Sequence, residues 1–123
     1  MTLKNKKILV IIGGGIAAYK SLDLIRLLKK NNVDVKTILT KSGKEFVTPL
    51  SLSTLTKSKT FENMFDSDTE AEIDHIALSR WADIIIVMPT TANFMSKLST
   101  GKAEDLASTV LLAADKDLSL IHI

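Results

Sequence analysis

The chain of 123 residues contains no cysteine. This excludes disulfides, a thiol nucleophile and thiolate metal ligands within the sequence. Long hydrophobic runs are also missing, since no apolar stretch approaches the roughly 20 residues that cross a bilayer. The basic start, Met1–Lys7, is followed by too short an apolar run for a secretion signal. We therefore expect a cytoplasmic chain with no membrane partner.

An excess of charge of one sign is absent as well. The 16 basic and 14 acidic residues give a net charge of +2, and the lysines are scattered rather than gathered into a nucleic-acid-binding patch. No nucleic-acid partner and no metal site are predicted. The hydrophobic fraction of 46% is typical of one α/β domain with a single core.

The most informative stretch runs from Ile8 to Lys20. An apolar run rich in β-branched residues fits a strand buried on both faces. It ends in Gly13–Gly15 and continues into a helical pattern. Glycines let a ligand approach the backbone, and a helix beginning there directs N–H groups toward it, which suits a phosphate. The alternative is a glycine turn that serves packing alone.

Hydrophobic periodicity predicts strands that alternate with helices, an α/β fold with a parallel sheet. The predicted strands are Lys7–Ile12, Val33–Leu39 and Asp83–Met88. The predicted helices are Ile16–Lys30, Glu45–Val47, Leu50–Leu55 opened by Pro49, Ile73–Trp81, Phe94–Leu98 and Asp105–Ala114. The segment Thr56–Glu72 is expected to be irregular. The apolar face of the first helix is expected to comprise Leu22, Leu24, Ile25, Leu27 and Leu28.

Three polar segments follow the predicted strands: Gly13–Gly15, Thr40–Gly43 and Pro89–Asn93. Parallel strands end at one edge of a sheet, and ligands of such sheets bind outside that edge. A dinucleotide site usually has an acidic residue after the second strand for the ribose, whereas this chain has Thr40. The pattern favours a mononucleotide over NAD.

Several motifs resemble those of the homo-oligomeric flavin-containing cysteine decarboxylases, and most closely the phosphopantothenoylcysteine decarboxylases. The resemblance extends from about residue 6 to residue 116. The motifs that carry it are Gly14–Lys20, Phe46–Leu52, His75–Asp83, Pro89–Asn93 and Gly101–Leu106.

The resemblance implies a flavodoxin-like or Rossmann-like three-layer fold that binds FMN in a homotrimer or a dodecamer of trimers. The cofactor-binding residues that it implies are Gly14, Gly15, Ile16, Thr40, Phe46, Pro89, Thr90, Thr91, Ala92 and Asn93. The family usually has Ser or Thr in place of Gly13, so one side-chain phosphate contact is expected to be missing here. Thr90 replaces the commoner Ala and adds a hydroxyl.

His75 is the active-site base that the resemblance implies. Without the resemblance, a lone histidine near a helix start would favour a capping or solvated role. The implied reaction is FMN-dependent oxidation of the cysteine side chain of 4′-phosphopantothenoylcysteine to a thioaldehyde. The thioaldehyde loses carbon dioxide, and reduction of the resulting ene-thiol gives 4′-phosphopantetheine for coenzyme A biosynthesis.

Two alternatives share the fold and the flavin site. One is a flavin prenyltransferase-like enzyme, against which the segment His75–Asp83 argues. The other is a non-catalytic FMN-binding protein, against which the presence of His75 argues.

The resemblance ends near Lys116, where the family continues into another strand and further functional segments. Leu118–Ile123 can be encoded by CTG TCT CTT ATA CAC ATC, which resembles a transposon adapter used in sequencing libraries. We therefore expect residues 1–116 to be a partial flavoprotein domain of a longer parent protein, and residues 117–123 to be a non-native tail. A genuine terminal strand is the alternative. The fragment is expected to be inactive and to fold poorly, because truncation removes a strand that should border Ile84–Met88 or its neighbours. Occupation of the vacant edge by the six-residue tail is the alternative.

Overall fold

A parallel sheet organises the computed structural model, which describes residues 5–15, 18–62, 77–88 and 117–120. Within those residues the sheet has five strands: β1 (Lys7–Ile12), β2 (Asp34–Leu39), β3 (Thr60–Glu62), β4 (Ile84–Val87) and β5 (Asp117–Leu120). Their order is β3-β2-β1-β4-β5, and every neighbouring pair is parallel.

The central strand β1 is apolar on both faces because both faces are covered. Its residues Ile8, Val10 and Ile12 pack on the side of helices α1 (Ala18–Lys30) and α2 (Pro49–Thr56). Its residues Leu9 and Ile11 pack on the other side against the helical segment 77–81. The described residues therefore form three layers, helix–sheet–helix, as the resemblance to the flavin-containing cysteine decarboxylases implies.

Helix α1 shows how the apolar face meets the sheet. Ile25 and Leu28 are buried in the core, whereas Leu27 is 58% exposed. The prediction that Leu27 belongs to the apolar face is wrong, because its side chain lies on the side of the helix that faces away from the sheet. Lys29 and Lys30 occupy the last turn, where cations complement the helix dipole.

Two other predictions differ from the structure, and three helix predictions lie wholly or partly outside the described residues. Thr60–Glu62, expected to be irregular, is strand β3, paired with Thr37–Leu39 of β2. The short helix expected at Glu45–Val47 is a 3-10 turn at Gly43–Glu45. The predicted helices Phe94–Leu98 and Asp105–Ala114 lie outside the described residues, as does the start of the predicted helix Ile73–Trp81.

The outer edge of β4 is paired with β5, in the register Ile84↔Asp117 to Val87↔Leu120. The expectation that this edge lacks a neighbour is therefore wrong. Residues 117–120 form a strand there, as the alternative of a terminal strand predicts. The non-native origin of residues 117–123 stays a prediction.

The strand order places a topological switch point between β1 and β4. From β1 the chain proceeds outward to β2 and β3 on one side and to β4 and β5 on the other. This is the Rossmann order rather than the flavodoxin order, and ligands of such sheets bind at the switch point, outside the carboxyl ends of the strands. No helix within the described ranges has the length and apolar character to span a membrane.

Candidate functional site

The carboxyl ends of β1, β2 and β4 are tied together by backbone hydrogen bonds. The N–H of Thr40, just after β2, donates to the carbonyl of Ile12 at 3.0 Å. The N–H of Met88, just after β4, donates to the carbonyl of Ile11 at 2.9 Å. The segments that follow these strands therefore begin side by side, as the sequence predicts for its three polar segments.

The glycine turn after β1 packs directly against the segment after β2. A Cβ placed on Gly14 would collide with the Cβ of Ser42, so a glycine is needed where the two loops meet. Gly15 has φ 145°, a conformation that residues with a Cβ rarely adopt. Its carbonyl accepts a hydrogen bond from the N–H of Ala18 at 2.9 Å, at the start of α1.

Thr40 shapes the second loop through its side chain. Its buried hydroxyl oxygen accepts a hydrogen bond from the N–H of Gly43 at 3.0 Å, which fixes the start of the 3-10 turn. A Cβ on Gly43 would lie 2.6 Å from the carbonyl oxygen of Ile12. The loop therefore reaches the end of β1 because residue 43 has no side chain.

Phe46 follows the 3-10 turn and borders the site on the side of α1. It is half-buried and packs against the core cluster on the α1 side of the sheet. Its ring meets Tyr19 of α1 edge-on, with ring centroids 6.4 Å apart and an angle of 83° between the planes. Tyr19 is 56% exposed, so this aromatic pair lies at the surface beside the first turn of α1.

The arrangement suits a phosphate or another oxyanion better than a metal ion. The glycine turn offers backbone N–H groups without side chains, and α1 begins directly after it with no acidic residue in its first turn. Within the described ranges no group of three or more His, Asp or Glu side chains could hold a metal ion.

Four of the predicted site residues lie within the described part of the chain: Gly14, Gly15, Thr40 and Phe46. The structure brings all four to one edge of the sheet. The predicted residues outside the described ranges are Ile16, His75, Pro89, Thr90, Thr91, Ala92 and Asn93. Sequence reasoning did not single out Ser42 or Tyr19 as site residues, although both lie within segments that it marked, Thr40–Gly43 and Gly14–Lys20. The contact of Ser42 with Gly14 depends on how two loops that are distant in sequence meet.

The opposite edge of the sheet carries a different surface. Two adjoining depressions of about 240 and 590 Å³ share Lys29, Asp34 and Lys57 in their linings. Asp34 offsets the lysine charges there, and neither depression reaches the glycine turn. The structure thus separates a basic and acidic surface at the amino ends of the strands from the polar loops at their carboxyl ends.

Comparison with protein families gives a match to the Flavoprotein family model over residues 1–121. Among curated proteins, the chain is 43% identical over 120 residues to the coenzyme A biosynthesis bifunctional protein CoaBC of Haemophilus influenzae. That match covers 98% of this chain and 30% of the relative. The chain therefore spans about a third of the length of this relative.

Solved structures share the fold. A PPC decarboxylase mutant in complex with pantothenoylaminoethenethiol is 26% identical and superposes with a TM-score of 0.76, over 94% of this chain and 65% of the other. The FMN-dependent cysteine decarboxylase SpaF is 25% identical, with a TM-score of 0.82, over 95% of this chain and 67% of the other.

Proposed function

The chain belongs to the Flavoprotein family, and we propose from this membership that it binds FMN at the carboxyl edge of its sheet. The observation that carries the proposal is the contact between the two loops there. Gly14 has no room for a Cβ because Ser42 lies against it, and Gly15 adopts φ 145°. The result is a turn of bare backbone at the switch point of the sheet, where a nucleotide phosphate can approach N–H groups closely.

The residues present fit the phosphate end of FMN. Gly14 and Gly15 supply backbone N–H groups, and the positive end of α1 lies next to them. Thr40 holds the neighbouring loop by accepting from the N–H of Gly43, which leaves its hydroxyl hydrogen able to donate. No carboxylate stands in the first turn of α1 to repel the phosphate.

The flavin ring is assigned to the side of Phe46 and to the segment Pro89–Asn93. Phe46 is positioned by its edge contact with Tyr19 and by packing against the core. Pro89–Asn93 follows Met88, whose N–H is bonded to Ile11 beside the glycine turn. Ile16 completes the proposed cofactor set, with Thr90, Thr91 and Ala92 within the second segment.

The proposed activity of the parent protein is decarboxylation of 4′-phosphopantothenoylcysteine to 4′-phosphopantetheine. The names of the similar proteins, a coenzyme A biosynthesis protein and a PPC decarboxylase, support this reaction over flavin prenylation. When bound, FMN supplies the oxidation and the returning reduction of the substrate. The chain binds and orients the substrate, and His75 is the proposed base that accepts a substrate proton. The cytoplasm is the proposed location.

The cofactor proposal is tested by titrating the purified 123-residue chain with FMN and following the flavin absorbance and fluorescence. We expect saturable binding that the double variant Thr91→Ala/Asn93→Ala weakens. A matched double variant at the opposite edge, Asn5→Gly/Asn32→Gly, places glycine where Asn5 and Asn32 have φ 65° and 61° and should leave FMN affinity unchanged. Wild-type protein that does not bind added FMN would contradict the proposal.

The role of His75 is tested in the parent protein with His75→Asn. General acid–base catalysis contributes about 10²–10⁴-fold to a rate, so we expect a loss of turnover on that scale with FMN still bound. The measurement is carbon dioxide release from 4′-phosphopantothenoylcysteine, with flavin content measured on the same samples. Unchanged turnover would return His75 to a capping or solvated role.

We also propose that copies of the chain assemble into a homotrimer or a dodecamer of trimers. Three large apolar side chains support association, because α1 and α2 expose them to solvent: Tyr19 by 56%, Leu27 by 58% and Leu50 by 76%. Large exposed apolar side chains that lie in one patch are typical of an interface between subunits.

A further inference from the structure

Lysines that are scattered along the sequence meet in space where the strands begin, at the edge of the sheet called the amino edge below. Helices α1 and α2 end at this edge, since Lys29 and Thr56 line one depression together with Asp34 at the start of β2. The basic residues at the amino edge include Lys7, Lys29, Lys30, Lys36, Lys57 and Lys59. The acidic residues among the described positions of this edge are fewer: Asp34, Asp83 and Asp117. The amino edge is therefore positively charged, although the whole chain carries a net charge of only +2.

Two of these lysines line both depressions of the amino edge. Lys29 is half-buried and Lys57 is exposed, and the depressions that they share have volumes of about 240 and 590 Å³. Within the described ranges neither ammonium group lies within ion-pair distance of a carboxylate. The exposed carboxamides of Asn5 and Asn32 add N–H donors to the larger depression. The larger depression therefore combines uncompensated positive charge with neutral hydrogen-bond donors.

Helix dipoles account for only part of this charge. Lys29 complements the carboxyl-terminal end of α1, but Lys36 lies within β2, and strands have only small net dipoles. The Nζ of Lys36 lies 4.7 Å from the centroid of the Trp81 ring, and the Nζ of Lys59 lies 5.2 Å from that of Phe61. These contacts hold two further positive charges at the amino edge, and they cover one face of each ring.

An extended acidic chain fits this surface better than a nucleic acid or a compact anion does. Single-stranded nucleic acids stack their bases on open aromatic rings, whereas Trp81 and Phe61 are half-buried and covered by lysines. A compact anion held between Lys29 and Lys57 would also meet the carboxylate of Asp34, which lines both depressions. An extended chain can place its carboxylates at the lysines and avoid Asp34. We propose that the amino edge binds an acidic polypeptide segment of a protein partner, at a surface separate from the proposed FMN site.

The test measures binding of a fluorescent decaglutamate peptide to the purified 123-residue chain by fluorescence anisotropy at low ionic strength. The double variant Lys29→Gln/Lys57→Gln removes two positive charges from the depressions. The matched control Lys20→Gln/Lys41→Gln removes the same charge from two exposed residues on the side of the carboxyl edge. The third variant, Asp34→Asn, removes the carboxylate that lines both depressions. A thymidine decanucleotide is titrated in parallel, and far-ultraviolet circular dichroism is recorded for every variant.

We expect Lys29→Gln/Lys57→Gln to weaken peptide binding about tenfold, since each exposed ion pair contributes about two- to fivefold. The control Lys20→Gln/Lys41→Gln should keep the wild-type affinity. Asp34→Asn should tighten binding about twofold because it removes a like charge, a gain that a folding defect would not produce.

Three results would overturn the proposal. The first is a wild-type chain that does not bind the peptide, and the second is an equal loss, or no loss, in the two double lysine variants. The third is tighter binding of the decanucleotide than of the peptide, which would assign the amino edge to nucleic acid. Each of these results leaves the proposed FMN site untouched, because FMN binding is measured separately.

Discussion

Thr37, in the middle of β2, is buried with a hydroxyl oxygen that has no hydrogen-bond partner. Its neighbour in register on β3, Thr60, is buried too but well bonded. The Thr60 hydroxyl donates to the carbonyl of Pro49 at 3.1 Å and lies 3.1 Å from the hydroxyl of Ser53. Two threonines of the same strand pair thus differ in whether their polar atom is satisfied.

This difference predicts opposite effects of the same substitution. Thr37→Val removes an unsatisfied buried hydroxyl at constant shape and should raise the free energy of unfolding by about 1 kcal/mol. Thr60→Val removes bonded groups and should lower it by about 1 kcal/mol. Urea unfolding of both variants measures the two changes, and equal effects in one direction would contradict the assignment.

At the scale of elements, the loops 13–15 and 40–43 are interlocked through Gly14 and Ser42. Gly14→Ala should lower the free energy of unfolding by about 1–3 kcal/mol, the usual cost of overpacking. Adding Ser42→Gly removes the colliding Cβ and should recover much of that loss. A double-mutant cycle by urea unfolding checks this coupling. Strictly additive effects would mean that the two loops do not meet as described.

Elements with a long pattern were predictable from the sequence. Strand β1 and helix α1 carry apolar periods over many residues, so their predicted bounds agree with the structure where it describes them. Strand β3 has three residues, too few to show a hydrophobic period. These residues form a strand because they pair with β2. The 3-10 turn begins at Gly43 because the side chain of Thr40 bonds to that N–H, a contact that periodicity does not encode.

The candidate site was predictable as a set of strand ends but not as a set of contacts. Topology brings the segments after β1, β2 and β4 together, and this follows from parallel strands alone. That Ser42 packs on Gly14, and that Tyr19 meets Phe46, depends on loop conformations and side-chain rotamers. These are set by tertiary packing between segments that are far apart in sequence.

At the scale of the whole molecule, the exposed apolar side chains of α1 and α2 predict self-association. Leu27→Gln removes an apolar contact from that surface and should shift the molar mass toward the monomer. Lys30→Gln changes another exposed residue of the same helix and is the matched control, which should leave the mass unchanged. Size-exclusion chromatography with light scattering measures both. A wild-type monomer, or equal behaviour of the two variants, would contradict an interface at Leu27.

The central claim is that the carboxyl edge of the sheet, at the switch point between β1 and β4, binds FMN. The most direct measurement is a crystal structure of the 123-residue chain grown with FMN. The account predicts electron density for the phosphate beside the backbone of Gly14 and Gly15, within reach of the loop that contains Thr40 and Ser42. Flavin density at the opposite edge, near Lys29 and Lys57, or a carboxyl edge without flavin in crystals that contain FMN elsewhere, would contradict it.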